Sequence, residues 1–294
     1  MTNEPNEWVI AADPFDAAVA AGELDTARER GVPCPPLRDR LLPADDVAAA
    51  YQVQRHQVRR WLAGGARRVG AKIGLTSRVV QEEFGVYEPD FGVLTDVMAV
   101  PDAAEVDLDG LIQPRVEAEL AFVLGADLTD ERATAVDLIR AVDSVLPAIE
   151  IVDSRITGWD ISIVDTIADN SSSALFVLGT VPRRLADVDL RLCGMVLEHA
   201  GEPVSVGAGA ACLGNPLSAL GWLAGMLVRA GDPLRAGDVV LSGALGPMVP
   251  VTPGAAYEAR ISGVGSVRTC FSARSAGSAG SAGSAGSAPT LEET

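Results

Sequence analysis

Three glutamates interrupt apolar runs in this chain: Glu117 and Glu119 in "IQPRVEAELAFVLG" (residues 112–125) and Glu150 in "VLPAIEIVDSR". Read as a strand, the first stretch alternates, with Val116, Ala118, Leu120 and Phe122 on one face and Arg115, Glu117, Glu119 and Ala121 on the other. Two like charges about 7 Å apart on one sheet face repel unless a cation lies between them. Together with Glu150 they form a hard, all-oxygen donor set that suits Mg²⁺ or Mn²⁺ and leaves coordination positions for water or substrate. The alternative is a pair of carboxylates facing solvent on a one-sided antiparallel sheet, where polar alternation is ordinary.

A second group of residues could move protons. In "RRVGAKIGLTS" a strand register puts Val69, Ala71, Ile73 and Leu75 on one face and Gly70, Lys72, Gly74 and Thr76 on the other. Glycines beside Lys72 clear space for a ligand to approach, and a partly desolvated ammonium binds a carboxylate or transfers a proton. A bulge with a surface lysine is the competing reading. Lys72 is a lysine in a chain whose other Lys/Arg residues are all arginine. "YEPDFGVL" sets Asp90 after a turn at Pro89, and "DTIADNSSSALFVLG" places Asp169, Asn170 and Ser171 in succession. Taken singly, each reads first as turn chemistry alone. The small-residue loop "LSGALGPMVPVTPG" can present backbone N–H groups to an anion or serve as a tight connection.

The elements that must position these residues fall into three zones. Residues 1–65 read as an N-terminal helical cap region, with Val47, Tyr51, Val58, Trp61 and Leu62 at helical spacing before Gly64-Gly65. Residues 66–272 read as a β-rich catalytic domain with few helices. One helix is expected over "TAVDLIRAVDSVL", with Thr134 and Asp137 as a capping box, and another from Asn215-Pro216 through "LSALGWLAGMLVRAG". Residues 273–294 form a Ser-Ala-Gly repeat with no apolar anchor, expected to be a flexible tail.

Composition excludes several function classes. A hydrophobic content of 48% over 294 residues can bury a full core. The net charge of −17 repels phosphate backbones and anionic membranes, so neither nucleic acid nor membrane is an expected partner. Only His56 and His199 are present, which leaves little room for histidine-based zinc or hydrolase chemistry. Cys34, Cys193, Cys212 and Cys270 show no C-x-x-C pairing, and the N-terminus lacks a basic segment followed by an apolar one. A cytoplasmic, unexported protein is expected.

Taken in order, "PPLRDRL", "GAKIGLTS", "EPDFG", "IQPRVEAELAFVLG", "PAIEIVDSRI", "DTIADNSSS", "GNPLSALGWLA", "AGDVVLSGALGPM" and "GVGSVRTCFS" resemble the 2-keto-4-pentenoate (2-hydroxypenta-2,4-dienoate) hydratases of the fumarylacetoacetate hydrolase superfamily. The resemblance runs from about Pro35 to Phe271. It implies an α+β fold, a mixed β-roll of the fumarylacetoacetate hydrolase C-terminal-domain type with flanking helices. It implies Mg²⁺ or Mn²⁺ on the carboxylates of Glu117, Glu119 and Glu150, and proton transfer by Lys72 and Asp90. Leu75, Thr76, Asn170, Ser171, Gly243, Ala244 and Leu245 are then expected near substrate, with Asp169 bracing its loop. The implied reaction adds water to 2-hydroxypenta-2,4-dienoate, or a substituted analogue, in aromatic meta-cleavage catabolism. The rivals are a 4-oxalocrotonate decarboxylase, which must seat a second carboxylate, a superfamily enzyme cleaving a C–C bond in an acylpyruvate, which would need a positioned water and a His-containing dyad, and a non-catalytic scaffold. A homo-oligomer, pentamer or decamer, and contact with a pathway decarboxylase or aldolase are further implications.

Overall fold

The computed structural model describes residues 16–83 and 86–274. The expectations for the first fifteen residues and for the Ser-Ala-Gly repeat from residue 275 onward lie outside the described residues. Two aspartates start the N-terminal helices. Asp16 accepts the Ala18 N–H at 2.9 Å to cap α1 (Ala17–Arg30), which ends at Gly31 with φ 62°. Asp46 accepts the Ala49 N–H at 2.8 Å to cap α2 (Val47–Ala63).

The chain continues through β1 (Arg68–Gly74), α3 (Arg78–Glu83), β2 (Asp90–Thr95), β3 (Ala99–Val100), β4 (Glu105–Val106), β5 (Arg115–Leu124), α4 (Ala135–Ala141) and β6 (Val142–Val152). It then forms α5 (Ile163–Ala168), β7 (Ser173–Leu178), β8 (Gly194–His199), β9 (Glu202–Ala208) and α6 (Pro216–Arg229). The last strands are β10 (Val239–Leu241), β11 (Val249–Pro250), β12 (Ala256–Ile261) and β13 (Gly265–Phe271).

Two sheets result. The larger is mixed, in the order β2-β1-β10-β5-β6-β7-β3, with β11 also on β5; the second runs β4-β13-β12-β8-β9. The alternation read in "VEAELAF" decides how they pack. Val116, Ala118, Leu120 and Phe122 of β5 and Ile149 and Ile151 of β6 are buried in one core with Leu197, Ala259, Val267 and Phe271 of the second sheet. Ala121, Ala148, Phe176, Leu94 and Leu241 form a separate cluster. A third small core joins α1, α2 and α5 through Leu24, Ala50, Val53 and Ile167. This is the expected α+β architecture.

Three local readings are corrected. The helix expected over residues 134–146 ends at Ala141, because Val142–Val152 pairs with β5 along its length. The Thr134–Asp137 capping box is present, so the start signal held while tertiary pairing overrode the continuation. The alternation expected from Val69 to Leu75 breaks at both ends. A register shift lies between Arg68 and Gly70, so Val69 packs with Trp61 beside the Leu94 cluster while Ala71 and Ile73 enter the main core. Leu75 leaves the strand with φ 55°. Asp90 is the first residue of β2, opposite Gly74, rather than part of a turn. The apolar stretch Gly209–Arg229 is long enough by composition to cross a membrane, yet Leu220, Leu223, Ala224 and Leu227 of α6 are buried in the main core.

Candidate active site and its carboxylate cluster

Antiparallel pairing of β5 with β6 sets Glu117 directly opposite Glu150, and Glu119 follows two positions along the same face. One carboxylate oxygen from each of the three lies within 4.8 Å of the others. Glu119 and Glu150 are fully buried and Glu117 is half-buried. Glu119 Oε2 accepts the Gly243 N–H at 2.8 Å, whereas Oε1 has no partner. Both oxygens of Glu150 lack a partner in good hydrogen-bond geometry; Lys72 Nζ faces Oε1 at 3.4 Å as an ion pair rather than an aligned donor.

Burial and mutual repulsion act together on these groups. Burial first, then Glu150, pushes the Glu117 carboxyl up to about 7. Glu119 is held well above the usual range by burial and by Glu150 and Glu117. Burial also raises Glu150, with Lys72 and the Ser173 hydroxyl opposing it. Asp90 is raised by burial, against Lys72 and the hydroxyls of Ser171 and Thr166. Lys72 is buried, which disfavours its charge, but Glu150, Asp90, Glu117 and Glu119 outweigh that and raise it.

Lys72 is the only lysine among the 294 residues. Four carboxylates against one ammonium leave the cluster three charges from neutrality when all are ionised. A divalent cation would offset two of those three charges. Buried, unpartnered carboxylate oxygens on facing strands are the donor set that a hard cation takes, so the residues fit one.

The other expected residues are placed as follows. Thr76 is buried beside Gly243, whose φ of 97° and lack of Cβ admit the threonine side chain. Leu75 is half-buried, and its carbonyl accepts from Gln81 at 2.7 Å. Ser171 is buried against Asp90; a Cβ at Gly74 would stand 2.7 Å from Ser171 Oγ and closer still to the Asp90 carboxylate. The glycines flanking Lys72 therefore admit protein atoms, Val239 backbone at Gly70 and Asp90 with Ser171 at Gly74, rather than open space for a ligand.

Asn170 is fully buried, and its carboxamide is spent on Val93, accepting the N–H at 2.8 Å and donating to the carbonyl at 3.0 Å. In the loop, the Gly243 N–H is taken by Glu119 and the Leu245 N–H by Ala118 O at 3.0 Å, with Ala244 half-buried between them. Asp169 binds Arg155 and does not reach the carboxylates. Sequence reasoning missed Thr166 and Ser173, which flank Asp90 and Glu150. Their signal was present in "DTIADNSSS", where only the Asp-Asn-Ser core was weighed.

With this geometry established, residues 81–272 match the family model described as fumarylacetoacetate (FAA) hydrolase C-terminal. The chain belongs to the fumarylacetoacetate hydrolase superfamily. Within it, the chain is 55% identical over 261 residues to 2-keto-4-pentenoate hydratase 1 of Dechloromonas aromatica, covering 89% of this chain and 99% of that one. It is 55% identical over 253 residues to the TodF product hydratase of Pseudomonas putida F1, covering 86% and 94%. Among solved structures, 4-oxalocrotonate decarboxylase from Pseudomonas putida G7, complexed with magnesium and adipate, superposes with a TM-score of 0.83 at 37% identity, covering 87% of this chain and 97% of that one. Fumarylpyruvate hydrolase from Pseudomonas aeruginosa, complexed with Mn²⁺ and pyruvate, shares the superfamily fold at a TM-score of 0.58 and 16% identity, covering 71% of this chain and 90% of that one.

Proposed function

We propose that this chain is a divalent-metal-dependent hydro-lyase that converts 2-hydroxypenta-2,4-dienoate, or a substituted analogue, and water into 4-hydroxy-2-oxopentanoate in aromatic meta-cleavage catabolism. The observation that carries the reading is the buried Glu117, Glu119 and Glu150 cluster with Lys72 3.4 Å from Glu150, in a chain 55% identical to hydratases over nearly its whole length. Mg²⁺ or Mn²⁺, held by the three glutamates, would act as a Lewis acid toward negative charge developing at C2.

The residues of the chain do the remaining work. Lys72 and Asp90, each buried beside the other, carry the protons: the C2 enol oxygen loses one as C5 gains one, giving the conjugated 2-keto acid, and the water that adds at C4 loses one as C3 gains one. The hydroxyls of Ser171 and Thr166 lie beside Asp90 and favour its ionised form. Thr76, Leu75 and the Gly243–Leu245 loop form the wall that fixes the substrate, with the loop backbone held rigid through Glu119 and Ala118. Asn170 acts at one remove, by fixing the turn that carries Ser171 to β2.

The wider reading has residues 1–65 as a cap, 66–272 as the catalytic unit and 273–294 as a tail. It also has a pentameric or decameric homo-oligomer in the cytoplasm, able to meet a decarboxylase or aldolase of the same route. Four free cysteines, three of them buried, support a reducing compartment.

The test follows the ultraviolet absorbance of freshly generated 2-hydroxypenta-2,4-dienoate with Mg²⁺, then with EDTA, and weighs the product by mass. Gain of one water that stops with EDTA is expected. Loss of CO₂ from 4-oxalocrotonate with the dienoate untouched would assign the site to decarboxylation instead.

A further inference from the structure

Arg155, in the motif "VDSR", has no part in the chemistry above, yet it is the largest of the fully buried side chains. Its guanidinium donates to carbonyls at both ends of one turn, Asp169 O and Ser173 O (3.1 Å), and also to Asp153 O. Its Nε bonds Asp169 Oδ1, and its backbone N–H bonds Asp169 Oδ2 at 2.9 Å. The Asp153 N–H donates to Ser172 O at 2.8 Å, so the neighbouring strand end grips the same turn.

Between these anchored ends the backbone is unusual. Asn170, Ser171 and Ser172 have φ of 52°, 55° and 52°, three successive residues with a Cβ in the left-handed region. Such a run persists only where its surroundings over-determine it. The turn lies directly on β2: the Asn170 carbonyl abuts Gly92, its carboxamide pairs with Val93, and the Ser171 hydroxyl converges with the Asp90 carboxylate on Gly74.

We infer that Arg155 is a positioning residue for the reaction: by tying Asp169 to Ser173 it forces the left-handed turn that holds the Ser171 hydroxyl against Asp90. It touches neither the three glutamates nor Lys72. The inference rests on the reading of Asp90 as a proton-transfer group. A lysine keeps the charge of Arg155 but cannot bridge the two ends of the turn with a planar fork.

The experiment is a double-mutant cycle of Arg155→Lys and Ser171→Ala on the full chain with Mn²⁺, assayed on the dienoate well below the melting temperature, with Mn²⁺ affinity measured by calorimetry. Arg155→Lys is expected to lower kcat between about tenfold and a hundredfold, the scale of a small misplacement near the chemistry, with KM and Mn²⁺ affinity within about twofold. In the Ser171→Ala background the same substitution is expected to cost less than about threefold, because the group it positions is gone. If Arg155→Lys does not fold, Asp169→Asn carries the same cycle, since it removes the ionic half of the clamp and keeps an acceptor.

A variant that melts lower but turns over at the wild-type rate would overturn the inference, as would an equal loss in both backgrounds or a Ser171→Ala enzyme of wild-type activity. A wild type that leaves the dienoate untouched would defeat the functional reading instead.

Discussion

The glutamates of the cluster and Lys72 make separable demands. Glu119→Gln keeps the Gly243 N–H bond and the volume but removes one anionic ligand, so Mn²⁺ affinity and turnover are both expected to collapse while circular dichroism is unchanged. Lys72→Met should instead lose turnover by at least a hundredfold with Mn²⁺ still bound, as calorimetry would show. Retained activity in Lys72→Met would take the ammonium out of the reaction.

Proton competition gives a second contrast at the same scale. Without metal, Glu117 sits near 7 against an ordinary 4.5, so between those values the folded chain holds more protons than the unfolded one and this group's contribution to stability falls as pH rises. Metal takes the ionised form, so its affinity should strengthen with pH, by about fivefold between pH 6 and pH 7 from Glu117 alone. Calorimetric titration of Mn²⁺ at pH 6, 7 and 8 measures this, and a flat profile would contradict it.

At the scale of elements, the join between the N-terminal helices and the rest depends on Asp165 at the start of α5. Its buried carboxylate accepts the N–H groups of Leu37 at 2.8 Å, Arg38 at 3.0 Å and Ser162 at 2.9 Å, and pairs with the Arg38 guanidinium at 2.7 Å. Asp165→Ala strands those donors and is expected to cost about 3 kcal/mol, read as a lower midpoint in urea with the slope unchanged.

This join was not legible in the sequence, because Asp165 and Leu37 lie 128 positions apart in the chain. What was legible followed the period of the elements: the two faces of β5, the Thr134–Asp137 and Asn215-Pro216 helix starts, and the acidic interruptions at Glu117, Glu119 and Glu150. What was not legible depended on partners elsewhere. The bulge before Gly70 is set by Val239, the end of α4 by pairing with β5, and the use of Asn170 by Val93. Resemblance named the substrate-side residues; pairing and burial decide which of their groups remain unspent.

At the scale of the molecule, the charge of −17 sets the solution behaviour while the cluster sets the chemistry. An anionic substrate approaches an anionic protein, so kcat/KM is expected to rise with ionic strength from about 10 to 100 mM as that repulsion is screened, which stopped-flow assays at constant Mg²⁺ would check. Light scattering on the purified chain should give the mass of five or ten copies; a monomer would contradict the proposed oligomer. A chain with a single lysine has one side-chain amine, and here it lies beside Glu150 in the carboxylate cluster. Lysine labelled at Nζ alone would light one nucleus in the molecule, so a magnetic-resonance titration could watch the carboxylate cluster with the other 293 residues silent.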